Sequence, residues 1–113
     1  MVDPDVALRF ANLIAAEDYK AASLLLTADC RRANPPERLK QAIVQITRYR
    51  PGPIVNVELV KEGTSLDWPD KQPGDLVSYY IALDGEGFTE AVSVVLTQAG
   101  DQILIRALEW GRP

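Results

Sequence analysis

Residues 75–110, DLVSYYIALDGEGFTEAVSVVLTQAGDQILIRALEW, constrain the fold of this chain more than any other stretch. Residues 76–83 are rich in β-branched and aromatic side chains and run into Asp84-Gly85-Glu86-Gly87, a turn signal. Residues 88–97 form a second such run, ended by Ala99-Gly100-Asp101, and residues 102–110 form a third. Gly85, Gly87 and Gly100 supply the positive φ angles that tight hairpins require. A meander of three antiparallel strands is therefore expected.

With turn tips at Gly85-Glu86 and Ala99-Gly100, strict alternation collects Val77, Tyr79, Ile81, Leu83, Phe88, Val92, Val94, Leu96, Ile103, Ile105 and Ala107 on one face. Burying that face stabilises the sheet and demands a cover. The same register sets Glu90 beside Glu109 on this apolar face. Like charges placed opposite one another are destabilising, and a half-buried pair has one pKa raised, which suits a general acid or a shared proton. Tyr79 lies on that face too, as a hydrogen-bond donor for a ligand oxygen. Against a site stands the simpler arrangement, in which both glutamates are solvated at the open end of the sheet or paired with Arg9 or Lys20.

The cover comes from the preceding half. Asp3-Pro4-Asp5 starts a helix over residues 4–16, with Val6, Phe10, Leu13 and Ile14 at helical spacing. Asp18 caps a short second helix over residues 19–26, residues 27–34 read as a polar loop, and Pro35-Pro36-Glu37 opens a third helix that Arg50-Pro51-Gly52-Pro53 stops. Residues 54–61 alternate loosely and make a first strand, and the long polar connection 62–74 carries Trp68, either a lid over a pocket or a packing residue. Helices followed by strands indicate an α+β fold: three N-terminal helices on a curved four-stranded antiparallel sheet, in one domain spanning residues 1–113.

Composition excludes several chemistries. The chain has no histidine and one cysteine, Cys30, so histidine-dependent triads, the usual zinc ligand sets and an internal disulfide are ruled out, and no metal or cofactor is expected. Cys30 beside Arg31 and Arg32 reads as an incidental loop thiol, with no histidine to activate it. A net charge of −4 speaks against nucleic acid. The charge is uneven: residues 1–50 hold eight basic and six acidic groups, residues 51–113 four and ten. The basic half is either a solvated face or a place for an anionic ligand or partner. No window approaches the roughly 20 apolar residues of a membrane span. The start, MVDPDVALRF, lacks the basic and apolar regions of a secretory signal, which points to the cytoplasm.

In pattern and order the chain resembles the nuclear transport factor 2-like superfamily. The matching features are a long first helix, a break written Glu17-Asp18-Tyr19 with Ala21-Ala22, a short second helix ending Leu24-Leu25-Leu26, a helix introduced by Pro35-Pro36-Glu37-Arg38-Leu39, and a meander closing on Leu108-Glu109-Trp110. The resemblance implies a cone-shaped α+β fold with a pocket between helices and curved sheet. It implies no single activity, because members include isomerases, dehydratases, hydrolases, binders and adaptors. No catalytic residue transfers.

The function expected first is a non-catalytic binding or accessory protein, whose pocket, with Tyr79, Glu90, Glu109 and Trp68 as candidate lining, takes a small apolar or amphipathic ligand. The alternatives are an isomerase- or dehydratase-like enzyme using Glu90, Glu109 and Tyr79, and an adaptor anchored by Trp68 and Trp110. The outer sheet face is more apolar than a solvated face requires, and a homodimer through Tyr80, Leu104, Arg106, Leu108 and Trp110 is expected there.

Overall fold

The computed structural model describes residues 3–48 and 52–111. Four helices pack on one four-stranded antiparallel sheet: α1 (Asp5–Ala15), α2 (Tyr19–Ser23), α3 (Ala28–Ala33), α4 (Pro36–Ile46), β1 (Ile54–Leu59), β2 (Asp75–Gly85), β3 (Phe88–Ala99) and β4 (Gln102–Gly111). The sheet order is β1-β2-β3-β4, so every strand pairs with its neighbour in sequence.

α1 forms because Ala7, Phe10, Ala11 and Ile14 recur on one helical face, and that face is buried completely against the sheet. Each of the larger two contributes about 2–3 kcal/mol by leaving water. The Asp3 carboxylate accepts the Asp5 N–H at 2.9 Å, and the Asp18 carboxylate accepts the Ala21 N–H at 3.2 Å, as the sequence anticipates for the first two helices. Leu39 and Ile43 of α4 join α1, Leu26 and the inner faces of β2 and β3 in one core. The expected helix stop at Arg50-Pro51 lies outside the described residues.

A fourth helix occupies part of the stretch expected as a loop. Thr27 accepts the Cys30 N–H at 3.3 Å, Asp29 sits in the first turn, and Arg31 and Arg32 sit in the last. Those are the signals of a capped helix, with charges that complement its dipole. Ahead of it, the Thr27 N–H donates to the Ile105 carbonyl and the Ile105 N–H to the Leu25 carbonyl, each at 2.8 Å. Residues 25–27 thereby cover the free edge of β4.

The meander differs from expectation in two ways. The first hairpin turns at Glu86-Gly87, with Gly85 opposite Phe88, and the second at Gly100-Asp101, with Ala99 opposite Gln102. Each register is displaced from the expected one by two residues, so every side chain near the turns keeps its face. Gly87 and Gly100 take the positive φ angles, 84° and 66°. Gly85 is instead a strand residue, because the Phe88 ring fills the space that a Cβ there would occupy.

The second difference changes faces. Leu96 pairs with Ile105 but Val95 with Ala107, so Arg106 is an extra residue, a β-bulge in β4. Beyond it the alternation inverts. Leu108 pairs with Val94 and Trp110 with Val92, both inner-face residues, and the Trp110 ring lies 6.4 Å from that of Phe10. Ala107 and Glu109 turn outward instead, and Glu109 is exposed. Burying Leu108 and Trp110 in place of Ala107 and Glu109 removes far more apolar surface from water and strands no carboxylate inside.

Candidate functional site

The bulge separates the two carboxylates that strict alternation would join. Glu90 stands on the inner face opposite Leu83 and is 4% exposed, whereas Glu109 pairs with Ser93 on the outer face. A proton-sharing pair is therefore not built. Glu90 is held by an interaction of its own. Arg9, named with Lys20 as an alternative partner for the glutamates, bonds to Asp5 at 2.6 Å. Every buried side-chain polar atom among the described residues has a hydrogen-bond partner.

Tyr79 does reach a cavity. Its ring, 4% exposed, lines a space of 400 Å³ between the start of α1 and the inner face of β1 and β2. Pro4 contributes the helical wall, Leu59 and Val77 the sheet wall, and Lys61, Thr64 and Leu66 the remaining side. That side is stitched to β2. Val60 N–H donates to the Tyr80 carbonyl at 2.8 Å, a 3₁₀ turn follows over Lys61–Gly63, and Ser65 exchanges two backbone bonds of 2.9 Å with Ser78. Leu66 is left 66% exposed at the mouth. Burial raises the Tyr79 phenol above its ordinary pKa, and the Asp3 carboxylate pushes it the same way, so it stays a protonated donor.

Trp68 belongs elsewhere. It lines an outer-face groove of 470 Å³ with Asp70, Ser78, Ser93, Arg106 and Glu109. The Lys71 ammonium lies 5.5 Å from its ring centroid and donates to the Leu66 carbonyl at 2.6 Å. Of the four candidate site residues, Tyr79 lines the inner cavity, Glu90 lies in the interior, and Glu109 and Trp68 meet on the outer face.

The candidate dimer surface is divided in the same way. Tyr80, Leu104 and Arg106 belong to the outer face, while Leu108 and Trp110 pack toward the core. The chain itself covers part of the outer face, because Gly63 sits so close to Tyr80 that a Cβ there would fall 2.6 Å from the Tyr80 Cβ.

Arg106 has a different partner, one that sequence reasoning missed. Its guanidinium donates twice to Asp75, at 2.7 Å each, across β3. The Asp75 side chain is fully buried and also accepts the Gln72 N–H at 2.9 Å. The Arg106 guanidinium holds the Asp75 carboxyl below its ordinary range, with help from Gln72 and Thr97 against the opposing effect of burial. The available signal was Arg106 itself, a charged residue between the apolar Ile105 and Ala107.

Cys30, on α3 and buried, lines a third groove of 640 Å³ with Asn34, Thr97 and Arg106. Burial pushes its thiol pKa up, outweighing the Asn34 hydrogen bond and the Arg106 charge, so the neutral thiol is favoured over the nucleophilic thiolate. Among the described residues, no cluster of three or more His, Cys, Asp or Glu side chains is placed to hold a metal ion. None of the described helices is long and apolar enough to cross a membrane.

Comparison with known proteins returns no matching family model, no matching curated protein and no matching solved structure.

Proposed function

We propose that this protein is a non-catalytic binding or accessory protein that takes a small apolar or amphipathic molecule into the cavity at Tyr79. The observation that carries this is the cavity's make-up: 400 Å³, walled by Pro4, Leu59, Leu66, Val77 and Tyr79, with Lys61 and Thr64 as its polar groups. Ligand sites have this form, a mostly apolar concavity of about 300–1,000 Å³ with a few polar groups that orient the guest. Leu66 at the mouth supports the same reading, since a bound guest shields an apolar side chain that otherwise faces water.

Helices followed by a meander, with a space between α1 and the sheet, also agree with a cone of the nuclear transport factor 2-like kind, and we keep that relationship as part of the proposal. A homodimer through the outer sheet face is not part of it, because two of the five residues expected there point inward.

The test is a fluorescence titration with the neutral apolar probe N-phenyl-1-naphthylamine. Wild-type protein is expected to bind and brighten the probe, and Leu66→Asp to weaken binding about tenfold, equivalent to about 1.4 kcal/mol. Leu66 is exposed, so this variant leaves the core intact. Absence of probe binding, or equal binding by Leu66→Asp, overturns the assignment.

A further inference from the structure

The cavity at Tyr79 gives no role to the outer-face groove of 470 Å³ at Trp68. Two parts of the chain build that groove. On the loop side, Pro69 restricts the backbone of Trp68, and the Lys71 N–H donates to the Trp68 carbonyl at 3.1 Å. This tight turn sets Trp68, half-buried, and Asp70 over the sheet. On the sheet side, Ser78 pairs with Val95 and Ser93 with Glu109, all on the outer face. The bulge that takes Glu109 out of the interior therefore delivers its carboxylate to this groove.

We propose that this groove binds a small alkylguanidinium cation, its flat face on the Trp68 indole and its N–H groups toward Glu109 and Asp70. Charge selects a cation. Arg106 is the one cation among the described lining residues, and the fully buried Asp75 carboxylate neutralises it through two hydrogen bonds of 2.7 Å. Asp70 and Glu109 are both exposed, and neither forms an ion pair among the described residues. The Asp70 charge is felt at Arg106 without such a pair. Lys71 stands outside the groove lining, its ammonium 5.5 Å from the Trp68 ring centroid and bonded to the Leu66 carbonyl, and its single charge does not offset two carboxylates. That contact also shows a cation already resting against this indole. Shape selects the guanidinium. A quaternary ammonium would meet the ring but leave both carboxylates and the Ser78 and Ser93 hydroxyls without donors. A primary ammonium would donate but has no flat face. A guanidinium stacks and donates at once. The volume lies in the range of small-molecule sites.

The inference is independent of the Tyr79 cavity, and its test separates the two. Amide and indole N–H shifts are followed by NMR while n-butylguanidinium, and separately the flat but uncharged n-butylurea, is titrated into wild type, Glu109→Gln and Glu86→Gln. Butylguanidinium is expected to shift the Trp68 indole and the amides of Ser78 and Ser93, with the Trp110 indole, packed toward the core, as the unmoved reference. Butylurea should bind there about fivefold more weakly or less, and Glu109→Gln should weaken butylguanidinium by a similar factor. Glu86→Gln removes the same charge at the first hairpin and should leave binding unchanged. The proposal is overturned if butylurea binds as tightly as butylguanidinium, if Glu109→Gln binds as wild type does, if Glu86→Gln weakens binding equally, or if the shifts fall around Leu59 and Val77 instead. Both glutamates are exposed, and each variant's own spectrum reports that it is folded.

Discussion

Asp75 places a negative charge in a fully buried position, and two hydrogen bonds of 2.7 Å from Arg106 make that placement tolerable. Replacing it by the isosteric asparagine should cost about 2–3 kcal/mol at pH 7, below the largest values for broken buried pairs because the Arg106 side chain keeps 24% exposure to water. The pH dependence follows from the lowered carboxyl pKa. A carboxyl held below its ordinary range stabilises the fold fully above that range, and the contribution is lost as pH falls through the lowered value. Urea denaturation should show wild type and Asp75→Asn far apart at pH 7 and converging below about pH 4. A constant gap across that window would contradict the assignment. The Asp75–Arg106 pair was not legible in the sequence because 31 positions separate the partners, and a register shift between Asp75 and Val77 sets Asp75 opposite Thr97.

At the scale of elements, the bulge in β4 decides which residues are inside. Trp110→Ala should cost about 3 kcal/mol, as large-to-small changes against a packed ring do, while Glu109→Gln should stay within about 0.5 kcal/mol. Similar costs for the two substitutions would restore the unbroken alternation. The segment over β2 gives another test. Gly63→Ala puts a Cβ 2.6 Å from the Tyr80 Cβ, which has no flexible end to move aside, so the 3₁₀ turn must lift. A loss of about 1–2 kcal/mol is expected by thermal denaturation, against no loss for Gly52→Ala, where the new Cβ meets nothing within 4 Å.

Much at this scale was legible. Apolar spacing in α1, the caps at Asp3 and Asp18 and the two glycine turns are local signals, and local signals survive in a single sequence. The two-residue displacement of the first hairpin was not, because Gly85 and Gly87 both offer a turn and only the Phe88 ring over Gly85 chooses between them. α3 was hidden for a different reason: Thr27, Asp29, Arg31 and Arg32 make it polar, and its single buried residue, Cys30, gives no periodicity.

Across the whole molecule, the bulge leaves a fold whose interior is packed beneath Leu83 and Val92 and opens toward Tyr79 at one end and toward Lys40 at the other. From the sequence, Tyr79 was identifiable as a cavity residue because its strand alternates without interruption from Val77 to Leu83. The partnership of Glu90 with Glu109 was not, since it depended on a strand phase that one inserted residue inverts. The cavity at Tyr79 is the centre of the functional proposal, and intermolecular nuclear Overhauser effects between bound N-phenyl-1-naphthylamine and the protein's methyl groups test it most directly. Cross-peaks from the naphthyl protons to Leu59, Leu66 and Val77 are expected. Cross-peaks confined to Ile43 and Ile54, or to outer-face residues such as Val95, would contradict a ligand site at Tyr79.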